Sequence, residues 1–351
     1  MKKNKNNKSN KQYASLNRTN VFSFDLISKY RSVIMGIAIL WVVLFHSSVS
    51  YGFLINSVAR LGNIGVDIFL FLSGIGLFFS YERLKTSNNS MLSFYKKRLL
   101  RIMPPTIIFL SLWFLYSKSS ETIFRFILDI TSLSFWIDGE NPGWYIAFAI
   151  VTYLLYPLIH HFLIREKKIL SLSIMLIIVL ISNAAICYFF PSYYYKVELA
   201  LGRLPIFIIG CYMALLVKNK KEIPLRFIPI CALIAFLGVL LYVFFAGSLK
   251  YYSINRYVYC IITINLVLVF SSLLDYINKI CPYIVKILEE LGKYTLEIYI
   301  THTQILKFLT ENLEKTNLYI VNLLSIVLSF LCAIIYNKLV YIYKSRKRQK
   351  C

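Results

Sequence analysis

The stretch Met35-Gly36-Ile37-Ala38-Ile39-Leu40-Trp41-Val42-Val43-Leu44-Phe45-His46 decides the reading of this chain: eleven apolar residues run without a break into a histidine. An apolar run of this kind is a buried or membrane-crossing helix. A bilayer penalises ionisable groups, so a histidine placed there is a candidate functional residue. The pattern recurs, with Asp67, Glu297 and His302 also set inside apolar segments.

Working outward, the whole chain has this character. Hydrophobic residues make up 58% of the 351 and charged residues only 16%. A soluble domain of this length would carry more charge. Apolar runs of roughly 15–25 residues follow one another to the C-terminus, which defines an all-α, polytopic membrane protein. The net charge of +23 does not point to nucleic acid, because the basic residues lie in the connections between apolar runs, where the positive-inside rule puts them. The Asn/Lys-rich segment 1–30 reads as a disordered basic tail, 31–343 as the membrane domain and 344–351 as a second basic tail. No short apolar core with a small-residue cleavage site follows the first tail, so it does not read as a cleavable signal. The seven cysteines are odd in number and show no CxxC spacing. They imply neither a disulfide framework nor a metal site.

Ten spans are predicted, at 32–50, 64–80, 103–117, 143–163, 169–190, 203–217, 227–247, 256–275, 293–309 and 318–342. The third starts at Pro104-Pro105, a natural helix start, and 121–136 reads as an amphipathic segment at the outer surface. With both termini cytoplasmic, 30 of the 39 Lys and Arg residues fall on the inner side and 9 on the outer, the bias that the positive-inside rule requires. This topology assigns depths. His46 lies about 22 Å up a hydrocarbon core of about 30 Å. Asp67, Trp144, Tyr145, Arg203 and His302 fall at a similar level, while Arg98 and Arg101 sit at the inner mouth.

Each candidate has two readings. His46 with Asp67 is either a base with an orienting carboxylate or a polar pair joining two helices. Gly62, Gly65, Gly74 and Gly76 allow close helix approach. Arg98 and Arg101, three apart, share a helix face and suit phosphate recognition, or simply anchor the inner end. Arg203 either binds an oxyanion or snorkels to the interface. Glu297 follows Lys293 at i+4, which predicts an ion pair. His160 and His161 diverge by about 100° on a helix, which rules against joint metal ligation.

Six blocks in order resemble the acyltransferase-3 family of integral membrane acyltransferases, over roughly residues 30–305. Gly36 to His46 is similar to its first-helix motif, and Gly65-Val66-Asp67-Ile68-Phe69-Leu70-Phe71-Leu72-Ser73-Gly74 to its second-helix block. Phe94-Tyr95-Lys96-Lys97-Arg98-Leu99-Leu100-Arg101-Ile102-Met103-Pro104 resembles its arginine-x-x-arginine segment. Trp144-Tyr145-Ile146 with Tyr153 to Pro157, Arg203-Leu204-Pro205 with Phe207 and Gly210, and Leu291-Gly292 to Tyr299 and His302 continue the likeness. One position departs: the family's usual arginine, eleven residues before the histidine, is Met35 here, and Arg31 lies one turn earlier.

The resemblance implies a stand-alone O-acyltransferase of a bacterial plasma membrane. It implies transfer from acyl-CoA, acetyl-CoA first, to a hydroxyl of a cell-surface polysaccharide or lipid-linked sugar, with no metal. Arg98 and Arg101 would hold the donor phosphates. His46 would be the base, oriented by Asp67, and Tyr145, Arg203 or His302 would stabilise the oxyanion or shape the acceptor pocket. A transporter of a glycan intermediate, or a non-catalytic subunit of a polysaccharide-synthesis complex, are the alternative readings. Transport folds often show internal repeats, and none is visible in the sequence.

Overall fold

The computed structural model describes residues 20–47, 49, 52–87, 90–117, 122–139, 143–245, 252–313 and 317–349. Each of the ten predicted spans corresponds to a helix: α2 (Arg31–Phe45), α4 (Ile64–Thr86), α5 (Met91–Ser117), α8 (Trp144–Leu163), α9 (Lys168–Phe189), α11 (Leu204–Lys218), α12 (Phe227–Phe245), α13 (Tyr252–Ile280), α15 (Thr295–Asn312) and α16 (Leu318–Gln349). Shorter helices join them: α1 (Asp25–Lys29), α3 (Phe53–Arg60), α6 (Ile123–Ile130), α7 (Leu133–Asp138), α10 (Pro191–Leu201) and α14 (Pro282–Lys293). Among the described residues, eight helical segments are long and apolar enough to cross a membrane. The two predicted spans outside that set are α2, apolar but only 15 residues long, and α15, whose 18 residues include Glu297, Lys307 and Glu311. Those two helices carry His46 and His302.

Glycines set the helix spacing. A Cβ on Gly62 or Gly65 would strike the Trp41 or Ala38 carbonyl of α2, and one on Gly74 would meet the Phe207 carbonyl of α11. Gly36 on α2 and Gly292 on α14 are equally crowded by the Leu288 and Ser32 carbonyls. Helix α4 is therefore clamped between α2 and α11, and α2 between α4 and α14. Van der Waals packing of small residues is the main attraction available between helices in lipid.

Three expectations are corrected. First, α5 does not start at Pro104. It begins at Met91 and runs through both prolines. The prolines remove only the bonds to the Leu100 and Arg101 carbonyls, a loss a packed membrane helix tolerates. Thr106 adds a bond from its hydroxyl to the Ile102 carbonyl at 2.7 Å. Arg98 and Arg101 thus stand on the same helix as the apolar span. Second, the predicted disordered tail is ordered over its last residues. Val21–Ser23 (β1) pairs antiparallel with Glu222–Pro224 (β2), Phe22 opposite Ile223, and Phe22 and Ile27 are fully buried. Lys29 and the Tyr30 hydroxyl both donate to Asp275 at 2.8 and 2.9 Å, tying the entry of α2 to α13, and the carboxylate raises the Lys29 ammonium above its ordinary value. Residues 1–19 lie outside the described residues. Third, the predicted C-terminal tail continues α16 as far as Gln349.

Candidate active site

A cavity of about 450 Å³ lies among α2, α4, α5, α8, α14 and α15. Its wall at one end is basic, with Arg31, Arg98, Arg101 and Lys293. At the other it is aromatic, with Tyr145 and Tyr299, and Tyr153 stands between, close to Arg31, Arg98 and Arg101. A second cavity of about 490 Å³ shares Arg31, Gly76 and Arg98 and adds Arg83. The presence of Arg98 and Arg101 follows from their i, i+3 spacing on α5. Their neighbours differ. Arg101 makes a two-point ion pair with the fully buried Glu297, at 2.6 and 3.5 Å. Among the described residues no carboxylate pairs with Arg98, whose guanidinium stands 5.8 Å from the Phe94 ring centroid, or with Arg31, whose Nε donates to the Leu72 carbonyl at 3.2 Å. Arg31 and Met35 line the same cavity, so a guanidinium reaches this space from one turn below Met35. The predicted Lys293–Glu297 pair is not formed, and Lys293 pairs with Glu290 at 2.6 Å. The helix breaks at Tyr294, so Lys293 ends α14 while Glu297 begins α15 and the i, i+4 geometry is lost.

His46 and His302 come together. His302 Nε2 lies 3.3 Å from His46 Nδ1, with ring centroids 4.9 Å apart. His46 caps the end of α2 and is exposed, whereas His302 is buried. Neither lines the cavity. Tyr299 does, and its ring centroid is 5.9 Å from that of His302 and 5.1 Å from that of Tyr145. The order along the site is therefore arginines, cavity, tyrosine layer, histidine pair. The Tyr145 side chain lies near Ser73. Among the described residues the Tyr299 hydroxyl has no hydrogen-bond partner, and Tyr299 lines the cavity. The sequence gives Tyr299 no role beyond its place in the sixth block, although its position three residues before His302 puts it on the same helix face.

Asp67 and Arg203 go elsewhere. Asp67 does not reach His46. Its Oδ2 accepts from Arg203 Nε at 3.2 Å, and both side chains are fully buried. Helical geometry explains this. Asp67 is about 200° round α4 from Gly65, which faces α2. It shares the face of Gly74, seven residues on, which meets α11. Arg203 also donates to the Leu199 carbonyl at 2.9 Å and to Asn63 Oδ1 at 2.7 Å, and stacks 5.0 Å from the Trp144 ring. Each of its three nitrogens makes one hydrogen bond, so three of its five N–H groups are committed to holding α4, α10 and α11 together. A second buried pair, Arg256 Nε to Glu198 Oε1 at 2.7 Å, lies close by. Two guanidiniums and two carboxylates cancel, which is how charges persist in a low-dielectric interior.

His160 is held by Glu82 at 2.9 Å, and its neighbour His161 faces Arg165. Among the described residues no group of three or more possible metal ligands occurs.

A bundle of membrane-crossing helices around a basic cavity, with paired imidazoles beyond it, has the parts of an intramembrane group-transfer enzyme. The acyltransferase-3 family model, described as an acyltransferase domain, matches residues 33–338, and the chain belongs to that family. Neither a curated protein nor a solved structure matches it.

Proposed function

We propose that this membrane acyltransferase takes an acyl group, acetyl first, from acyl-CoA at its arginine-lined end and delivers it to a hydroxyl on a surface polysaccharide or lipid-linked sugar at its histidine end. The observation that carries the reading is the cavity itself. It begins at Arg31, Arg98 and Arg101, which suit the phosphates of coenzyme A, and ends at Tyr299, one ring away from His302 and His46. The basic bias of the loops supports putting the arginine end on the cytoplasmic side, and the family supports a bacterial plasma membrane as the setting.

His46 serves as general base. The acceptor hydroxyl gives its proton to His46 as its oxygen attacks the thioester carbonyl carbon. The carbon–sulfur bond then breaks, and the thiolate recovers the proton from the imidazolium. His46 is not among the residues that line the cavity, so the acyl end of the donor passes Tyr145 and Tyr299 to reach it, and the Tyr299 hydroxyl is a candidate donor to the developing oxyanion.

The test is to supply membranes containing the protein with acetyl-CoA labelled on the acetyl group, together with host surface glycans. Label entering alkali-labile esters supports the reading. Saturable coenzyme A binding without any transfer to a hydroxyl acceptor would count against it.

A further inference from the structure

We infer that His302 is a positioning residue that fixes the proton on His46, rather than a donor to the reaction; this rests on His46 being the base of the proposed transfer. The argument is a count of donors and acceptors. His302 Nδ1 lies 2.8 Å from the Tyr299 carbonyl and 3.1 Å from the Ile298 carbonyl. Both are obligate acceptors, so Nδ1 carries the hydrogen. In the neutral ring the other nitrogen, Nε2, is then a lone pair. That lone pair points at His46 Nδ1, 3.3 Å away. His46 Nδ1 also lies 2.9 Å from the Val42 carbonyl. With acceptors on both sides, His46 Nδ1 must be the protonated nitrogen, and its Nε2 is left unprotonated.

This is the tautomer a base needs. The Val42 carbonyl by itself ties Nδ1 only to the ring's own helix. A second acceptor on another helix adds to that hold, because the Nδ1 hydrogen now faces α2 and α15 together. The same lone pair stabilises the imidazolium formed when Nε2 takes the acceptor's proton, since the charge is shared with Nδ1–H. His302 thus occupies the place predicted from sequence for Asp67. Of the two roles expected for it, oxyanion stabilisation does not suit this tautomer, because its only N–H is committed to backbone carbonyls and its free nitrogen would repel an oxyanion.

The chain has four histidines, which makes the assignment measurable. The protein is labelled with ¹⁵N-histidine, reconstituted in lipid, and each ring is identified by single substitution. The inference expects a pyridine-type Nε2 on both His46 and His302. In the His302→Leu variant, the His46 signals broaden into a mixture of tautomers. His302→Gln keeps an acceptor oxygen at the Nε2 position, and the His46 pattern returns. A protonated Nε2 on His46, or an unchanged His46 spectrum in His302→Leu, overturns the inference whether or not the protein transfers acyl groups. Turnover gives the second readout. His302→Leu loses kcat by about 10²-fold, the cost of a misplaced catalytic group, with KM for acetyl-CoA held, while His302→Gln recovers most of the loss. Equal loss in both variants, or a change confined to KM, contradicts a positioning role. Absence of transfer by the wild type counts against the proposed function and leaves the tautomer test intact.

Discussion

Arg98 and Arg101 look equivalent in sequence, and the structure predicts that removing them has different consequences. Arg98 is half-buried at the cavity wall and pairs with no described carboxylate. Arg98→Ala therefore strands no partner, and the fold tolerates it. What is lost is one charge-assisted hydrogen bond to a donor phosphate, about 1.5–3 kcal/mol, or roughly 10- to 150-fold in affinity. Arg101→Ala removes the counter-charge of Glu297, which is fully buried while the arginine is 47% exposed. Stranding that carboxylate costs about 1–3 kcal/mol of stability, at the low end for a buried pair because one partner already sees water. The assay is saturation binding of labelled acetyl-CoA to detergent-purified protein, read beside thermal unfolding. Arg98→Ala weakens binding with an unchanged melting temperature. Arg101→Ala lowers the melting temperature, and Arg101→Leu with Glu297→Leu restores it without restoring binding. Wild-type affinity in Arg98→Ala, or wild-type melting in Arg101→Ala, would refute the reasoning.

Three further outcomes are expected. His46→Ala slows transfer by about 10²–10⁴-fold, the usual weight of a general base, with normal expression and unfolding, because the side chain is exposed at a helix end; loss of folded protein would assign it to structure instead. Asp67→Ala leaves Arg203 buried without its carboxylate and destabilises by about 3–5 kcal/mol, so the melting temperature falls; a fully stable but inactive variant would return Asp67 to the chemistry. Gly36→Ala and Gly292→Ala each press a methyl into backbone that cannot yield, at about 1–3 kcal/mol, and a double variant more stable than either single would show that α2 and α14 are not clamped there.

Position along the helices was legible in the sequence, and azimuth largely was not. Apolar runs and loop charge located a helix for every predicted span and put His46 and His302 at one level. Which residues face each other depends on how helices turn, and His46 and His302 are 256 positions apart. Asp67 was assigned to the wrong neighbour because adjacency in sequence suggested α2. The glycine pattern held the missing information: Gly65, with Gly62 in the turn just before α4, sets one face of α4 against α2, leaving Asp67 and Gly74 to meet α11. The Glu297 partner was missed for a related reason, since i, i+4 reasoning assumes an unbroken helix and α14 ends at Lys293. The early start of α5 was hidden because prolines stop soluble helices more reliably than packed membrane ones.

The central claim is that an acyl group enters at the arginine end and leaves at the histidine end. The most direct measurement uses sealed vesicles of known orientation, with labelled acetyl-CoA supplied on one side and a hydroxyl-bearing glycan on the other. The account predicts that label crosses to the glycan only when the donor is on the side of Arg98 and Arg101, and that His46→Ala stops it. Transfer with the donor on the histidine side, or label crossing undiminished in His46→Ala, would contradict it.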